Sequence, residues 1–258
     1  MILNRGHPLA RGLVFLTYPG SGGAQDLVSG LTGRPLQSGG LSAAGSGGSA
    51  AFTSIIGGGV VWPFPPRLET ITNQFTVAFR GAPSTTAARS IMVSIPYAAA
   101  TYVNPRSSIA MLGESDGTGS MWYAGTAAAL RFADCAAGWF NSTDRQILWA
   151  GVRNNGVSGF YRNGRLHTAG TFSADEPVLW TNRQPLVILQ RSSTSAGENF
   201  KGTADFAAIW NRPLTETELA QLTADIYCLL MSPSWRRYRA SPAVAAGRFS
   251  RTLVGVGR

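Results

Sequence analysis

The chain has 258 residues, 44% hydrophobic and 14% charged, enough for one substantial core and far from the composition of a disordered chain. Its net charge of +9 is uneven: Arg236, Arg237, Arg239, Arg248, Arg251 and Arg258 stand in residues 232–258 without one acidic residue, which leaves +3 over 1–231. A nearly neutral body with a basic end argues against a bulk electrostatic nucleic-acid binder, and 31 Gly with 14 Pro favour short strands and turns over long helices.

RGLVFLTY (11–18) reads as a short apolar strand. Residues 19–59, rich in Gly and Ser, read as a flexible linker or as loops with small strands, and AAFTSII (50–56) is too apolar for a solvated linker. VVWPFPPRLE (60–69) carries three prolines, so it is expected as an extended edge or crossover rather than a central strand. QFTVAFRG (74–81) alternates, with Phe75, Val77 and Phe79 on one face. SIMVSI (90–95), SIAMLG (108–113), SMWYAG (120–125), ALRFAD (129–134) and RQILWAGV (145–152) continue the strand series. GFYRNGRLHT (159–168) places Asn163-Gly164 between two strand-like halves, and Asn-Gly accepts positive φ at both turn positions, so a hairpin is expected. PLVILQ (185–190) suits a buried central strand, and ADFAAIW (204–210) puts Phe206, Ala208 and Trp210 on one side.

Pro213 cannot donate to a sheet and ends the last strand. Thr215 and Glu218 have the spacing of a capping box, which starts a helix. Leu219, Leu222, Ile226 and Leu229 or Leu230 then follow at helical spacing, with the helix expected to stop before Pro233. Each of those side chains contributes roughly 1.5–3 kcal/mol when buried, so the helix reads as a cover for a sheet. The sum is an all-β, two-sheet antiparallel sandwich with one short C-terminal helix and an extended tail, without a repeat of fixed period.

The order of segments resembles the laminin-G-like, concanavalin A-like jelly-roll module of tailed-phage and prophage structural proteins. HPLARGLVFLTY is similar to the module's first strand and FTVAFRG to an inner strand. RQILWAGVRNNGVSGFYRNGR resembles the strand pair that ends in an Asn-Gly turn, and LVILQRSSTSAGENFKGTADFAAIWNRPLTETELAQL the closing strands and helix. The resemblance spans 7–231 and departs from the pattern over 19–70. YCLLMSPSWRRYR resembles the Pro-Trp and polyarginine ending of many tailed-phage proteins. It implies a sandwich over 1–231 with a basic aromatic arm over 232–258, in a virion assembled in a host cytoplasm, at the tail tip or baseplate or as capsid decoration. Partners would be other virion proteins and further copies of the chain. The N-terminus lacks signal-peptide order and no apolar run approaches a membrane span, so neither a membrane nor nucleic acid is expected as partner.

Glycosidases of this fold use Glu-x-Asp-x-x-Glu, which places an acid and a nucleophile on one strand. Glu114 and Asp116 match its first half, but Gly119 stands where the second Glu would be, so no catalytic residue is assigned. Calcium would draw on loop carboxylates from Asp26, Asp116, Asp134, Asp144 and Asp205, which form no local cluster in sequence; no cofactor and no metal site is assigned, and a calcium site built from converging loops stays open. His7 and His167 lack a nucleophile-elbow context, no Walker loop is present, and Cys135 and Cys228 give neither zinc spacing nor a disulfide framework, though one bridge between them stays open. Sugar binding needs aromatic platforms: Trp122, Tyr123 and Trp139 (with Phe140) are the candidates, against a plain core role. In the tail, Trp235, Arg236, Arg237, Tyr238, Arg239, Arg248, Phe249 and Arg251 have the composition of interface hot spots and read as an arm that orders on a neighbour. The leading expectation is a non-enzymatic virion structural protein. A carbohydrate-binding receptor protein for host surface glycans is the alternative, and a glycan-degrading enzyme the third reading.

Overall fold

The computed structural model describes residues 1–18, 24–35, 41–46, 49–54, 59–83, 90–96, 107–114, 117–124, 130–134, 147–171, 177–178, 180, 183–192 and 195–231. In chain order the strands are β1 (Leu13–Thr17), β2 (Ala24–Gln25), β3 (Thr32–Pro35), β4 (Leu41–Ser46), β5 (Ser49–Ser54), β6 (Val60–Trp62), β7 (Gln74–Pro83), β8 (Ser90–Pro96) and β9 (Ser107–Gly113). There follow β10 (Gly119–Ala124), β11 (Leu130–Asp134), β12 (Ile147–Asn154), β13 (Val157–Arg162), β14 (Arg165–Thr171), β15 (Leu186–Ile188), β16 (Gln190–Ser192), β17 (Ser195–Asn199), β18 (Gly202–Trp210) and the helix α1 (Glu216–Ala224). Short 3₁₀ turns occupy Pro8–Ala10 and Pro66–Thr70.

Two antiparallel sheets face each other. One runs β14-β13-β12-β7-β18-β5-β4, with β1 also paired to β18; the other runs β11-β10-β9-β8-β15-β6-β3-β2. Between them lie Phe75, Val77, Phe79, Trp149, Phe160 and Ile209 from the first sheet and Trp62, Met111, Met121, Tyr123, Leu186 and Ile188 from the second. The alternation of QFTVAFRG thus sends Phe75, Val77 and Phe79 into the sandwich.

The opposite face of the first sheet is buried as well. Ala78, Leu148, Ala150, Phe206, Ala208 and Trp210 pack there against Leu219, Leu222, Ile226 and Leu229. The Trp210 indole donates to the Leu9 carbonyl at 2.7 Å, and the Tyr18 hydroxyl donates to the Ile226 carbonyl. The capping box starts α1 as expected: the Glu218 N–H donates to Thr215 Oγ1 at 3.3 Å, and the Thr215 N–H to Glu218 Oε2 at 2.9 Å. Arg212 adds a 2.6 Å contact to Glu218 Oε1.

Two expectations are corrected. Val60–Trp62 is an interior strand, paired with β15 on one side and β3 on the other. The prolines begin only at Pro63, where they end β6 and shape the Pro66–Thr70 turn, so no ladder donor is lost. The helix stops at Ala224, because Asp225 is extended at φ −148° and ψ 99°; Ile226 and Leu229 reach the core from the turn beyond it.

The Asn163-Gly164 hairpin is present, with φ of 51° and 74°. A second Asn-led turn, at Asn155 with φ 57°, joins β12 to β13. The part of 19–59 that is described contains strands β2 to β5. Among the described residues, no helix is long and apolar enough to cross a membrane.

Candidate functional site

Of the aromatic candidates, Tyr123 is a correction. Its side chain is 0% exposed and lies in the core between the sheets, because strand alternation turns it inward, so it offers no surface to a sugar. The backbone of Trp122 pairs with Phe132 and Ala110. Its row crosses the second sheet as Phe132, Trp122, Ala110, Ser94, Val187, Val61 and Arg34. Ala110, Ser94, Val187 and Val61 in that row are buried. The Trp122 side chain, Trp139 and the arm residues Trp235, Arg236, Arg237, Tyr238, Arg239, Arg248, Phe249 and Arg251 lie outside the described residues.

The polar candidates have local roles. Glu114 sits in the β9–β10 turn, where its N–H donates to the Thr118 carbonyl at 2.7 Å; Asp116 lies outside the described residues. Asp26 is a structural anchor: its carboxylate accepts from the N–H groups of Leu16, Val28 and Ser29 and from the Ser29 hydroxyl. Asp205 pairs with Arg80 at 3.4 Å. His7 caps the first 3₁₀ turn through Nδ1, and His167 is exposed on β14. Cys228 is a free thiol, pushed up to about 11 by burial and by the nearby Asp225. Cys135 lies outside the described residues. Among the described residues no group of three or more His, Cys, Asp or Glu side chains is placed to hold a metal.

The most developed surface constellation is one the sequence did not mark. It lies at the end of the sandwich where β12 and β18 finish and β7 starts. Prolines set the chain there: Pro65 is extended, Pro66 opens the 3₁₀ turn, and Leu68 and Ile71 anchor it in the core. A second segment runs alongside. The Val178 N–H donates to the Thr72 carbonyl at 3.1 Å, and the Trp180 indole N–H to the Ile71 carbonyl at 3.0 Å. Arg183 then gives Nε to Glu69 Oε1 at 2.7 Å and Nη2 to Oε2 at 3.3 Å.

The result is a rigid aromatic corner beside a planar ion pair. Phe64 and Trp180 meet edge to face, centroids 5.8 Å apart at 67°, and both are half-buried. The side chains of Arg183 and Glu69 are 70% and 38% exposed. Arg183 holds φ at 42°, in the left-handed region that non-glycine residues rarely enter. At the same end of the sandwich, Asn211 Nδ2 donates to Thr70 Oγ1 at 2.8 Å and Gln74 Nε2 to Asn154 Oδ1 at 3.0 Å. The signal that marks this site in sequence is Trp180 in a polar, Pro-bounded stretch (PVLWTNRQP), where no strand pattern accounts for it.

A laminin G family model described as the concanavalin A-like lectin/glucanases superfamily matches residues 56–220. No curated protein matches the chain in sequence. Among solved structures it is similar to domain 4 of AbnA, a GH43 extracellular arabinanase from Geobacillus stearothermophilus, in complex with arabinotriose: TM-score 0.62, 16% identity, 82% of this chain and 98% of that one. The binding domain of Paraclostridial Mosquitocidal Protein 1 has TM-score 0.61 at 12% identity over 85% of this chain, which spans about half (53%) of that one. A CBM40 of the Ruminococcus gnavus IT-sialidase, bound to alpha2,3 sialyllactose, has TM-score 0.55 at 14% identity, over 67% of this chain and 96% of that one. At these identities the likeness is one of fold.

Proposed function

The chain belongs to the concanavalin A-like lectin/glucanases superfamily, and from that premise we propose that it is a non-catalytic glycan-binding module whose site is the Pro66–Thr70 rim. The observation that carries this reading is the Phe64–Trp180 corner set beside the Arg183–Glu69 pair. Sugars present C–H faces that pack on aromatic rings and hydroxyls that need fixed donors and acceptors, and this corner offers both. The Trp180 ring is already oriented by its bond to Ile71, so little ordering accompanies binding. Solved structures of similar fold favour binding over turnover: one domain is in complex with arabinotriose, one is bound to sialyllactose, and one is a toxin's binding domain. Both oxygens of Glu69 are engaged by Arg183, and Glu114 lies in a tight turn, so neither is set as one of two facing carboxyls of a glycosidase.

Oligosaccharide titration of the full chain, with a reducing-sugar assay in parallel, tests this. Saturable binding that Trp180→Ala abolishes without unfolding, and without sugar release, supports the module. Binding unchanged in Trp180→Ala removes the rim, and steady sugar release removes the non-catalytic reading.

Residues 232–258 favour a second statement, about setting. We infer that the module is carried on a phage particle, docked to other virion proteins or to its own copies through the arm of Trp235, Arg236, Arg237, Tyr238, Arg239, Arg248, Phe249 and Arg251. The support is the arm's composition and its point of departure. The Met231 N–H donates to the Ile2 carbonyl at 2.9 Å and the Asn4 N–H to the Leu229 carbonyl at 2.8 Å, so the chain enters the arm from the helix-bearing side of the first sheet. Deleting 232–258 is expected to prevent incorporation while the sandwich stays folded; normal incorporation of the shortened chain sinks the docking role.

A further inference from the structure

The Arg183–Glu69 pair bears on the class of glycan, an inference that rests on the rim being the glycan site. We infer that the rim selects neutral sugars with adjacent hydroxyls over carboxylated or sialylated ones. An unpaired guanidinium at an aromatic corner would draw an anion. Arg183 is instead joined to Glu69 by two near-parallel bonds, at 2.7 and 3.3 Å, which fix its plane and offset its charge at the surface a ligand meets.

What the pair then presents is a row of mixed polarity. The Nη1 N–H groups donate, and the carboxylate oxygens keep lone pairs beyond those that Arg183 uses. Two neighbouring hydroxyls fit that row, one accepting from Arg183 and the next donating to Glu69, while the ring's C–H face rests on Trp180. An incoming carboxylate would meet Glu69 as a like charge at short range. Arg67, exposed on the same turn, is a solvated charge whose pull is screened at physiological salt.

The backbone agrees with a fixed pair. Arg183 holds φ 42° between the Trp180–Ile71 bond on one side and the Glu69 contacts on the other. A strained residue persists where its surroundings over-determine it, and such residues gather at ligand clamps.

Calorimetric titration of the full chain tests the inference with arabinotriose and xylotetraose as neutral probes and 3′-sialyllactose and trigalacturonate as anionic ones, at low and high salt. At least one neutral probe is expected to bind, with little change in Kd between the two salts, and the anionic probes not to compete. Glu69→Gln bares the Arg183 charge and is expected to raise anionic affinity about tenfold, in a salt-dependent way. Arg183→Gln is expected to weaken neutral binding without gaining anionic binding. Wild-type binding that prefers the anionic probes and fades with salt overturns the selectivity and leaves the glycan-binding reading standing. No binding by any probe overturns that reading, and this inference with it.

Discussion

The guanidinium of Arg153 lies 4.0 Å from the centroid of the Tyr123 ring, and this contact joins the two sheets at the rim end of the sandwich. Arg153 comes from β12 and Tyr123 from β10, and both are 0% exposed. The Phe75 ring centroid lies 5.9 Å from the same guanidinium. The same side chain donates Nε to the Asn155 carbonyl at 3.1 Å and Nη1 to the Thr72 carbonyl at 3.4 Å. Thr72 is also the residue that receives the Val178 N–H, so Arg153 holds the floor on which Trp180 and Arg183 are placed.

Arg153→Ala removes a packed stem, a cation–π contact and two hydrogen bonds, and is expected to lose about 3 kcal/mol in urea unfolding. Arg153→Met keeps much of the volume and is expected to lose less. Tyr123→Phe keeps the ring and loses only the hydroxyl, and is expected to cost less than Arg153→Ala. An alanine variant within about 0.5 kcal/mol of the parent would show that the bridge holds nothing together.

The fold was readable where local chemistry and tertiary contacts agree. Asn163-Gly164, the Thr215–Glu218 capping box and the alternation of Phe75, Val77 and Phe79 each have a local cause, and each appears as expected. Val60–Trp62 departs from the sequence pattern because the prolines follow the strand rather than interrupt it: the ladder ends one residue before Pro63. The helix is shorter than its apolar spacing implies, because Ile226 and Leu229 continue that spacing from a turn. The rim left one signal in the sequence, Trp180 outside any strand pattern, and nothing local that shows its geometry. Its parts stand at 64–72 and 178–183, and contacts distant in sequence bring them together: Val178 to Thr72, Trp180 to Ile71 and Phe64, and Arg183 to Glu69. The strand through Trp122 was readable by its pattern, but not the burial of Ser94 and Ala110 on the neighbouring strands.

Arg183 offers a separation of stability from binding. At φ 42° an arginine side chain is strained by roughly 1–2 kcal/mol, and glycine is not. Glycine in turn loses more backbone freedom on folding, and an exposed ion pair is worth at most about 1 kcal/mol. These effects oppose each other, so Arg183→Gly is expected to melt close to the parent while binding of a neutral oligosaccharide falls. Arg183→Val, β-branched at the same φ, is expected to be less stable than either. Thermal melts and titrations of the two variants check this. A valine variant as stable as the glycine one would mean that the left-handed backbone stores no strain.

Gly164 shows how closely the helix sits on the hairpin. A Cβ built there would lie 2.5 Å from Ala220 Cα and 2.8 Å from Ala220 N, backbone atoms that cannot swing away. Its φ is 74°, so alanine would carry backbone strain and a clash together. Gly30 is the control, with φ 80° and nothing within 4 Å of a built Cβ. Gly30→Ala is expected to lose about 1 kcal/mol from the backbone alone, and Gly164→Ala to lose more than about 2 kcal/mol because α1 must shift. Equal losses in denaturant unfolding would show that the turn and helix can separate without cost.

Two carboxyls are expected to give the chain opposite responses to acid. Burial raises the Asp205 carboxyl above its ordinary 3.8, and the Arg80 guanidinium only partly offsets that. Folding therefore favours protonated Asp205. Its contribution is largest below 3.8 and is lost as pH rises through the raised folded value. Hydrogen bonding from Arg212 lowers Glu218 below its ordinary 4.5, so its contribution is full above 4.5 and is lost as pH falls through the lowered value. Glu218→Gln keeps a side chain able to cap the helix but loses the charge paired with Arg212, and is expected to cost up to about 1 kcal/mol at neutral pH and progressively less in acid. Asp205→Asn is expected to be neutral or stabilising at neutral pH. Arg80 keeps 27% of its side chain in solvent and can be hydrated without its partner. In acid that variant loses its advantage, because the parent carboxyl is then uncharged too. Urea unfolding of the parent and both variants across acid and neutral pH separates the slopes. A loss beyond about 2 kcal/mol for Asp205→Asn at neutral pH would mean that the Arg80 pair outweighs burial and would reverse the assigned sign.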